Sequence, residues 1–195
     1  MAYGSYEGGL RDLIHMLKYE RVGPAANLLG RMLAEVVEGM SASFSDTPVV
    51  VPVPLHGSKL RERGFNQSEL IARAALKLKP ARLDLVVESG VLARRRPTTS
   101  QTGLTRHQRQ ENMRGAFQVL RAEPIANREV LLVDDVLTTG TTASECARVL
   151  RRAGASRVWV ATVARTLKAE TARMVVRPIL EDEEQRLSMA AHGRG

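Results

Sequence analysis

The sequence predicts an α/β fold with a mostly parallel sheet flanked by helices, on three observations. REVLLVDDV (128–136) and RVWVATVA (157–164) are near-continuous apolar runs, the pattern of strands buried on both faces. ASECARVLRRAGA (143–155) lies between them with a helical period and closes at Gly154. Strand, helix and strand within about 35 residues form a βαβ unit, whose two strands run parallel.

The other elements follow in chain order. Leu10, Leu13, Ile14 and Leu17 recur at i, i+3, i+4 and i+7, one face of an amphipathic helix over 6–22. Gly23-Pro24 breaks it, and Pro24 suits the first turn of a second helix over 24–40, where Leu28, Leu29, Met32, Leu33, Val36 and Val37 repeat the pattern. Ser41 to Thr47 read as a polar linker. PVVVPVP (48–54) is a β-branched run cut by prolines, a strand that stops early. HGSKLRERGFNQ (56–67) has no usable period and reads as a loop, followed by a helix over 68–78 ended by Pro80. Residues 83–93 are strand-like around a turn at Ser89-Gly90. Six arginines between Arg94 and Arg114 face one acid, Glu111, in a long polar stretch of the kind that is functional or mobile within a compact domain. After Thr166 a mixed-charge tail (167–195) reads as frayed.

Composition narrows the class. The 195 residues amount to about one domain, and 44% apolar with 26% charged residues is a globular balance. Lys+Arg number 29 against 21 Asp+Glu, a formal charge of +8 that favours a polyanionic partner, either nucleic acid or a phosphorylated small molecule. Aromatic residues at 4% argue against a surface that stacks single-stranded bases. A single cysteine, Cys146, excludes intramolecular disulfides and an all-cysteine zinc site, and its helical position reads as an inert buried thiol. No apolar run approaches the ~18–20 residues of a membrane span, and MAYGSYEGGL does not look like a signal peptide, so a cytoplasmic protein is expected.

The most informative stretch is VLLVDDVLTTGTT (130–142). A parallel strand delivers Asp134 and Asp135 at its carboxyl end, where open α/β sheets place their ligands. The loop beyond it offers the hydroxyls of Thr138, Thr139, Thr141 and Thr142 and backbone N–H groups around Gly140, then opens a helix whose amino end attracts anions. Two carboxylates beside a phosphate site require a neutral or cationic partner, which vicinal sugar hydroxyls or a divalent ion supply. Phosphate and then diol along one loop describe a ribose 5-phosphate. The competing reading is a strand end followed by a threonine-capped turn, but capping uses one hydroxyl and leaves the carboxylates unexplained. Neither a G-x-x-x-x-G-K-[ST] nor a G-x-G-x-x-G pattern is present. Only 60 residues follow Asp135, too few for a receiver domain, whose acidic pair lies near its start.

These residues resemble a known family. VLLVDDVLTTGTT is similar to the phosphoribosyl pyrophosphate (PRPP) signature of type I phosphoribosyltransferases. VPVPLHGSKLRERGFNQSELIA and TTSQTGLTRHQRQENMRGAF further resemble its ComF/GntX branch, associated with natural competence, through RGFNQ and Q-x-G-L-x-x-x-x-R-x-x-N. The resemblance runs from about Tyr6 to Thr166. It implies that Asp134 and Asp135 hold the ribose hydroxyls and that Thr138, Thr139, Gly140, Thr141 and Thr142 cradle the 5-phosphate. Pro54, Leu55, His56, Gly57 and Lys59 would form the pyrophosphate loop, often of unusual peptide geometry in the family. Residues 94–113, with Arg94, Gln101, Arg106, His107 and Arg109, would be the mobile flap. Residues 1–47 would supply the helical hood for an acceptor base, 48–166 the core and 167–195 a flexible tail. Members of the branch commonly carry an N-terminal zinc ribbon; Cys146 alone cannot build one, so the ribbon is expected to be lost or trimmed.

The basic segments admit several readings. Lys59, Arg61 and Arg63 beside the site would stabilise a departing pyrophosphate, or they form a solvated basic loop. Phe65, Asn66 and Gln67 buttress that loop and start the next helix. The arginine-rich flap closes over PRPP, holds nucleic acid, or is a disordered charged loop. His107 is a general acid or base, or a surface polar residue. His15 reads as a helix-face residue and Trp159 as core.

The activity expected is phosphoribosyl transfer to a nitrogen acceptor, with Mg²⁺ bound mainly through PRPP and no protein-built metal site. The alternative is a non-catalytic module acting in DNA uptake or recombination through DNA or a competence helicase. No membrane partner is expected, and a homodimer is compatible with either reading.

Overall fold

A computed structural model of the chain describes residues 1–19, 23–96 and 113–166. Five strands form one parallel sheet in the order β1-β7-β6-β2-β3: β1 (Ala2–Ser5), β2 (Val49–Pro52), β3 (Val86–Val87), β6 (Glu129–Leu137) and β7 (Arg157–Arg165). Strands β4 (Leu92–Arg94) and β5 (Phe117–Val119) pair antiparallel as a separate ribbon. The helices are α1 (Gly8–Tyr19), α2 (Gly23–Met40), α3 (Gly57–Arg63), α4 (Gln67–Leu76) and α5 (Thr141–Arg152).

The two-residue period of β2 and β6 explains the two-faced core. Val50, Leu131 and Val133 point to one face, where they meet Ile14 and Leu17 of α1, Leu29, Leu33 and Val37 of α2, and Ile71 and Ala75 of α4. Val49, Val51, Val130 and Leu132 point to the other and pack with Cys146 and Leu150 of α5, Phe117 of β5, and Met113 and Ile125. Strand β2 stops at its prolines as expected, with Val53 N–H still donating to Val133 O at 2.8 Å.

Helices α2 and α4 cross at close quarters. A Cβ built on Gly30 would lie 2.5 Å from Ala74 Cβ and 3.0 Å from the Ala74 carbonyl carbon, closer than real side chains approach. Glycine and alanine at the crossing set the depth of α4, whose first turn carries polar groups to the ends of β2 and β6.

Two expectations are corrected. HGSKLRERGFNQ is not a loop: residues 57–63 form α3, capped by His56 Nδ1, which accepts from Ser58 N–H at 3.3 Å, and closed by Gly64 at φ 83°. A short surface helix that buries no side chain needs no apolar period, so its caps define it. The first residues form an edge strand, with Ala2 opposite Thr162 of β7. A strand at the sheet edge buries little, which is why MAYGSY carries no apolar run. Arg94, the first residue of the expected flap, ends β4, and the β4–β5 ladder continues as Arg95 N–H donates to Ala116 O at 2.8 Å.

The segment expected as a hood provides β1 and α2 to the sheet core, and α1 reaches the carboxyl ends of the strands. The tail 167–195 lies outside the described residues. Among those described, no helix is long and apolar enough to cross a membrane.

Candidate functional site

A cleft of about 240 Å³ opens at the carboxyl ends of β2 and β6. Asp134 and Asp135 form one wall, and Thr142 of α5 stands beside them. Pro54, Leu55, Lys59 and Arg63 line the cleft as well, and Arg94 reaches it from β4. A larger groove of about 540 Å³, between α2 and Leu78–Pro80, contains none of the expected site residues.

The acidic pair sits within β6, which runs on to Leu137, rather than at its last residue. Asp134 Oδ1 accepts from Ser68 Oγ at 3.1 Å and from Asp135 N–H at 2.9 Å. Asp135 is buried; its Oδ1 accepts from Val136 N–H at 2.7 Å, and its Oδ2 takes both Gln67 Nε2 at 3.3 Å and the Lys18 ammonium. Gln67 in turn accepts from Arg63 Nη1 at 2.7 Å through its Oε1, linking the basic side of the cleft to the acidic side. Arg63 also lies over the Tyr19 ring, 5.5 Å from its centroid.

Burial, and then the neighbouring Asp135 carboxylate, push the Asp134 carboxyl up to about 7, against the pull of its hydrogen bonds and Lys18. For Lys18, burial works to lower the pKa, but Asp135 and Asp134 together outweigh it and the net shift is upward.

The raised Asp134 value sets a sign. The folded chain holds a proton that the unfolded chain has released, so Asp134 removes stability as pH rises from about 4 through about 7. Lowering the pH from about 8 to about 6 therefore raises its contribution to the melting midpoint. Asp134→Asn is expected to remove that part of the pH dependence, read by comparing thermal melts of the two proteins across the range.

The threonine loop turns directly into α5. Its N-cap is Gly140 at φ 75° and ψ 0°, with no side-chain cap, so the threonine-capped turn is not what forms. The Thr139 and Thr141 hydroxyls lie 2.9 Å apart, with Thr141 buried. Thr138, Thr139, Gly140 and Thr141 adjoin the cleft in sequence but do not line it, nor do His56, Gly57 and Arg61. Gly140→Ala forces an L side chain into the left-handed region at a cost of about 1–2 kcal/mol. It is expected to lower the melting midpoint by several degrees.

The pyrophosphate-loop candidates are held from two sides. Asn66 Nδ2 donates to Val53 O at 3.0 Å while its Oδ1 caps α4 at Ser68 N–H, 3.2 Å away. His56 bridges in parallel to Arg94 of β4. No cis peptide bond occurs among the described residues, this loop included.

The flap candidates Gln101, Arg106, His107 and Arg109 lie outside the described residues. The flanking Arg94 guanidinium packs 5.5 Å from the Phe117 ring centroid and 4.0 Å from Met113 Sδ. Glu145 of α5 accepts from Gly115 N–H at 2.8 Å and from Arg148 Nε and Nη2. The Arg148 hydrogen bonds hold Glu145 below the usual carboxylate range against the opposing effect of burial. Cys146 is buried, and burial pushes its thiol well above the ordinary value, the condition of an inert thiol. Trp159 is partly buried and donates from Nε1 to Glu129 at 3.1 Å, and His15 stands on the exposed face of α1 against Tyr19.

Sequence reasoning passed over Lys18, Tyr19 and Ser68, and gave Gln67 a buttressing role without its contact to Asp135. Gln67 and Ser68 follow the Asn66 cap and look like first-turn residues. Lys18 had one signal: no acid stands three or four residues away on α1, so a partner would have to come from another element.

The model of the phosphoribosyl transferase domain family matches residues 69–180. A DNA utilization protein, YhgH, of Escherichia coli K12 is 35% identical over 164 residues, covering 83% of this chain and 70% of that protein. Competence protein F of Haemophilus influenzae is 29% identical over 165 residues, with the same coverages of 83% and 70%. A hypoxanthine phosphoribosyltransferase structure from Staphylococcus aureus aligns over 70% of this chain and 62% of its own, at 17% identity and a TM-score of 0.44.

Proposed function

Because the chain belongs to the phosphoribosyl transferase domain family, in the branch that includes competence protein F, we propose that its cleft binds PRPP and transfers the phosphoribosyl group to a nitrogen acceptor. One observation carries the reading. A vicinal carboxylate pair and a helix amino end without a side-chain cap share one cleft with Lys59, Arg63 and Arg94. Carboxylates suit a diol, the helix end suits a phosphate monoester, and the cations suit a diphosphate.

Magnesium fits this arrangement as a companion of the ligand. Among the described residues no three acidic, histidine or cysteine side chains converge on one point. A hard cation here would take its oxygens chiefly from the diphosphate, with Asp134 and Asp135 as secondary donors. When bound it would neutralise charge on the leaving group.

The chain's own part is orientation and charge placement. The loop from Thr138 to Thr142, of which Thr142 lines the cleft, would hold the 5-phosphate while Asp134 and Asp135 fix the ribose ring, with the diphosphate directed at Lys59, Arg63 and Arg94. The bond from that carbon to the diphosphate oxygen breaks and its electron pair leaves with pyrophosphate. The acceptor nitrogen's lone pair forms the new bond. Lys59, Arg63 and Arg94 meet the charge that develops on the leaving group; removal of one such donor typically costs about 2.7–4 kcal/mol of transition-state stabilisation.

Calorimetric titration of PRPP with Mg²⁺ into the chain tests the binding step. Saturable heat is expected, and none from a chain whose fold is verified by circular dichroism would overturn the reading. A second reading, a non-catalytic module in DNA handling, draws on the relatives named for DNA utilization and competence. It predicts affinity for labelled duplex that falls steeply with salt and does not respond to Asp134→Asn.

A further inference from the structure

The carboxylates expected to take the ribose hydroxyls already have partners. A carboxylate oxygen accommodates about two donors. Asp134 Oδ1 carries two, from Ser68 Oγ and Asp135 N–H, and Asp135 Oδ2 carries two, from Gln67 and Lys18. Asp135 Oδ1 takes Val136 N–H, and Asp134 Oδ2 takes no donor among the described residues, so the ammonium on Asp135 is the one mobile group standing on the pair.

These donors differ in how firmly they are held. Asp135 N–H and Val136 N–H belong to β6 itself. Gln67 and Ser68 are buried in the first turn of α4, fixed by the Asn66 cap and the α2 crossing. Lys18 comes from the last turn of α1, beside an exposed Tyr19, on a flexible four-carbon stem. It is the donor that can leave without disturbing the core, and its ammonium contacts the group on which a sugar hydroxyl would be received.

We infer that Lys18 is an internal occupant of the ribose site: its ammonium stands on Asp135 where a sugar diol would bind, and ligand enters by displacing it. The inference rests on the ribose 5-phosphate reading above. It makes Lys18 a specificity-determining residue. Displacement removes one positive charge from two adjacent carboxylates that already face a phosphate. A ligand that carries its own divalent cation restores that charge, whereas bare ribose 5-phosphate does not. The chain should therefore discriminate in favour of PRPP with Mg²⁺ over ribose 5-phosphate. The last turn of α1 should loosen when the site fills.

Two titrations by calorimetry test this in the unaltered 195-residue chain and in Lys18→Met: metal-free ribose 5-phosphate, and PRPP with Mg²⁺. If the site is open about a tenth of the time in the unaltered chain, removing the occupant raises ribose 5-phosphate affinity about tenfold. The preference for PRPP with Mg²⁺ narrows accordingly. Unchanged or weakened ribose 5-phosphate binding by Lys18→Met would overturn the inference, since Lys18 would then be a bystander or would itself hold the ligand. Absence of PRPP binding to the unaltered chain would instead overturn the phosphoribosyl reading, and the inference with it. Should Lys18→Met fail to fold, hydrogen exchange of residues 8–19 in the unaltered chain decides. Faster exchange near Lys18 on adding PRPP with Mg²⁺ supports displacement, and slower or unchanged exchange overturns it.

Discussion

The double substitution Asp134→Asn, Asp135→Asn is expected to reduce PRPP affinity by about 100-fold or more, since each charge-assisted hydrogen bond to a carboxylate is worth about 1.5–3 kcal/mol. The two positions should separate in their effects on folding. Asp134 is pushed up to about 7 by burial and by its neighbour, so an amide there relieves an unfavourable charge. Asp134→Asn alone should melt at or above the parent's temperature at pH 8 while binding PRPP poorly. Asp135→Asn leaves the half-buried Lys18 ammonium without its carboxylate partner, and should melt lower. Thermal melts beside calorimetry read both effects. A stabilised but binding-deficient Asp134→Asn protein would mark the acid as kept for its ligand rather than for the fold. Full PRPP binding by the double variant would remove the acidic pair from the site.

Gly30→Val is expected to be the most damaging single change outside the cleft. The new Cβ would fall 2.5 Å from Ala74 Cβ and 3.0 Å from backbone of α4, so the helices have to separate. Overpacking of this kind costs about 3 kcal/mol, or roughly 6–12 °C in melting midpoint for a domain of this size. The displaced helix is the one that presents Asn66, Gln67 and Ser68, so PRPP affinity should fall together with stability. Ala74→Gly removes the nearest obstructing atom and should restore part of the loss caused by Gly30→Ala, measured as a double-mutant cycle. Additive effects would show that the crossing does not set the depth of α4.

The parts of this molecule that were legible in its sequence are those with a repeating physical signature. Buried strands β6 and β7 and helix α5 announce themselves by apolar runs and a 3.6-residue period. Asp134, Asp135 and the threonine loop stood out because carboxylates and hydroxyls at the end of an apolar strand need a chemical reason. The parts that were not legible lack such a signature. Helix α3 buries nothing and is defined by a histidine cap and a glycine. Strand β1 owes its existence to an edge offered by β7. Arg94 looks like the other arginines of its run, and only the pairing of β4 with β5 fixes it in the cleft wall. Lys18 and Asp135 are brought together by the fold alone, across more than a hundred positions of chain.

The pairing of β1 with β7 bears on how the protein is made. Ala2 lies opposite Thr162 in the register, so β1 has no place to bind until β7, about 160 positions further along, has also been made. At about 5–20 residues per second that wait is on the order of 8–30 s. Throughout it the amino-terminal segment, including the turn that bears Lys18, has no completed sheet to dock against. Contacts of such long sequence separation also slow folding in general. A ribosome-stalled chain that ends before residue 157 should therefore hold its acidic pair while β1, the strand that leads into the Lys18 helix, stays unpaired.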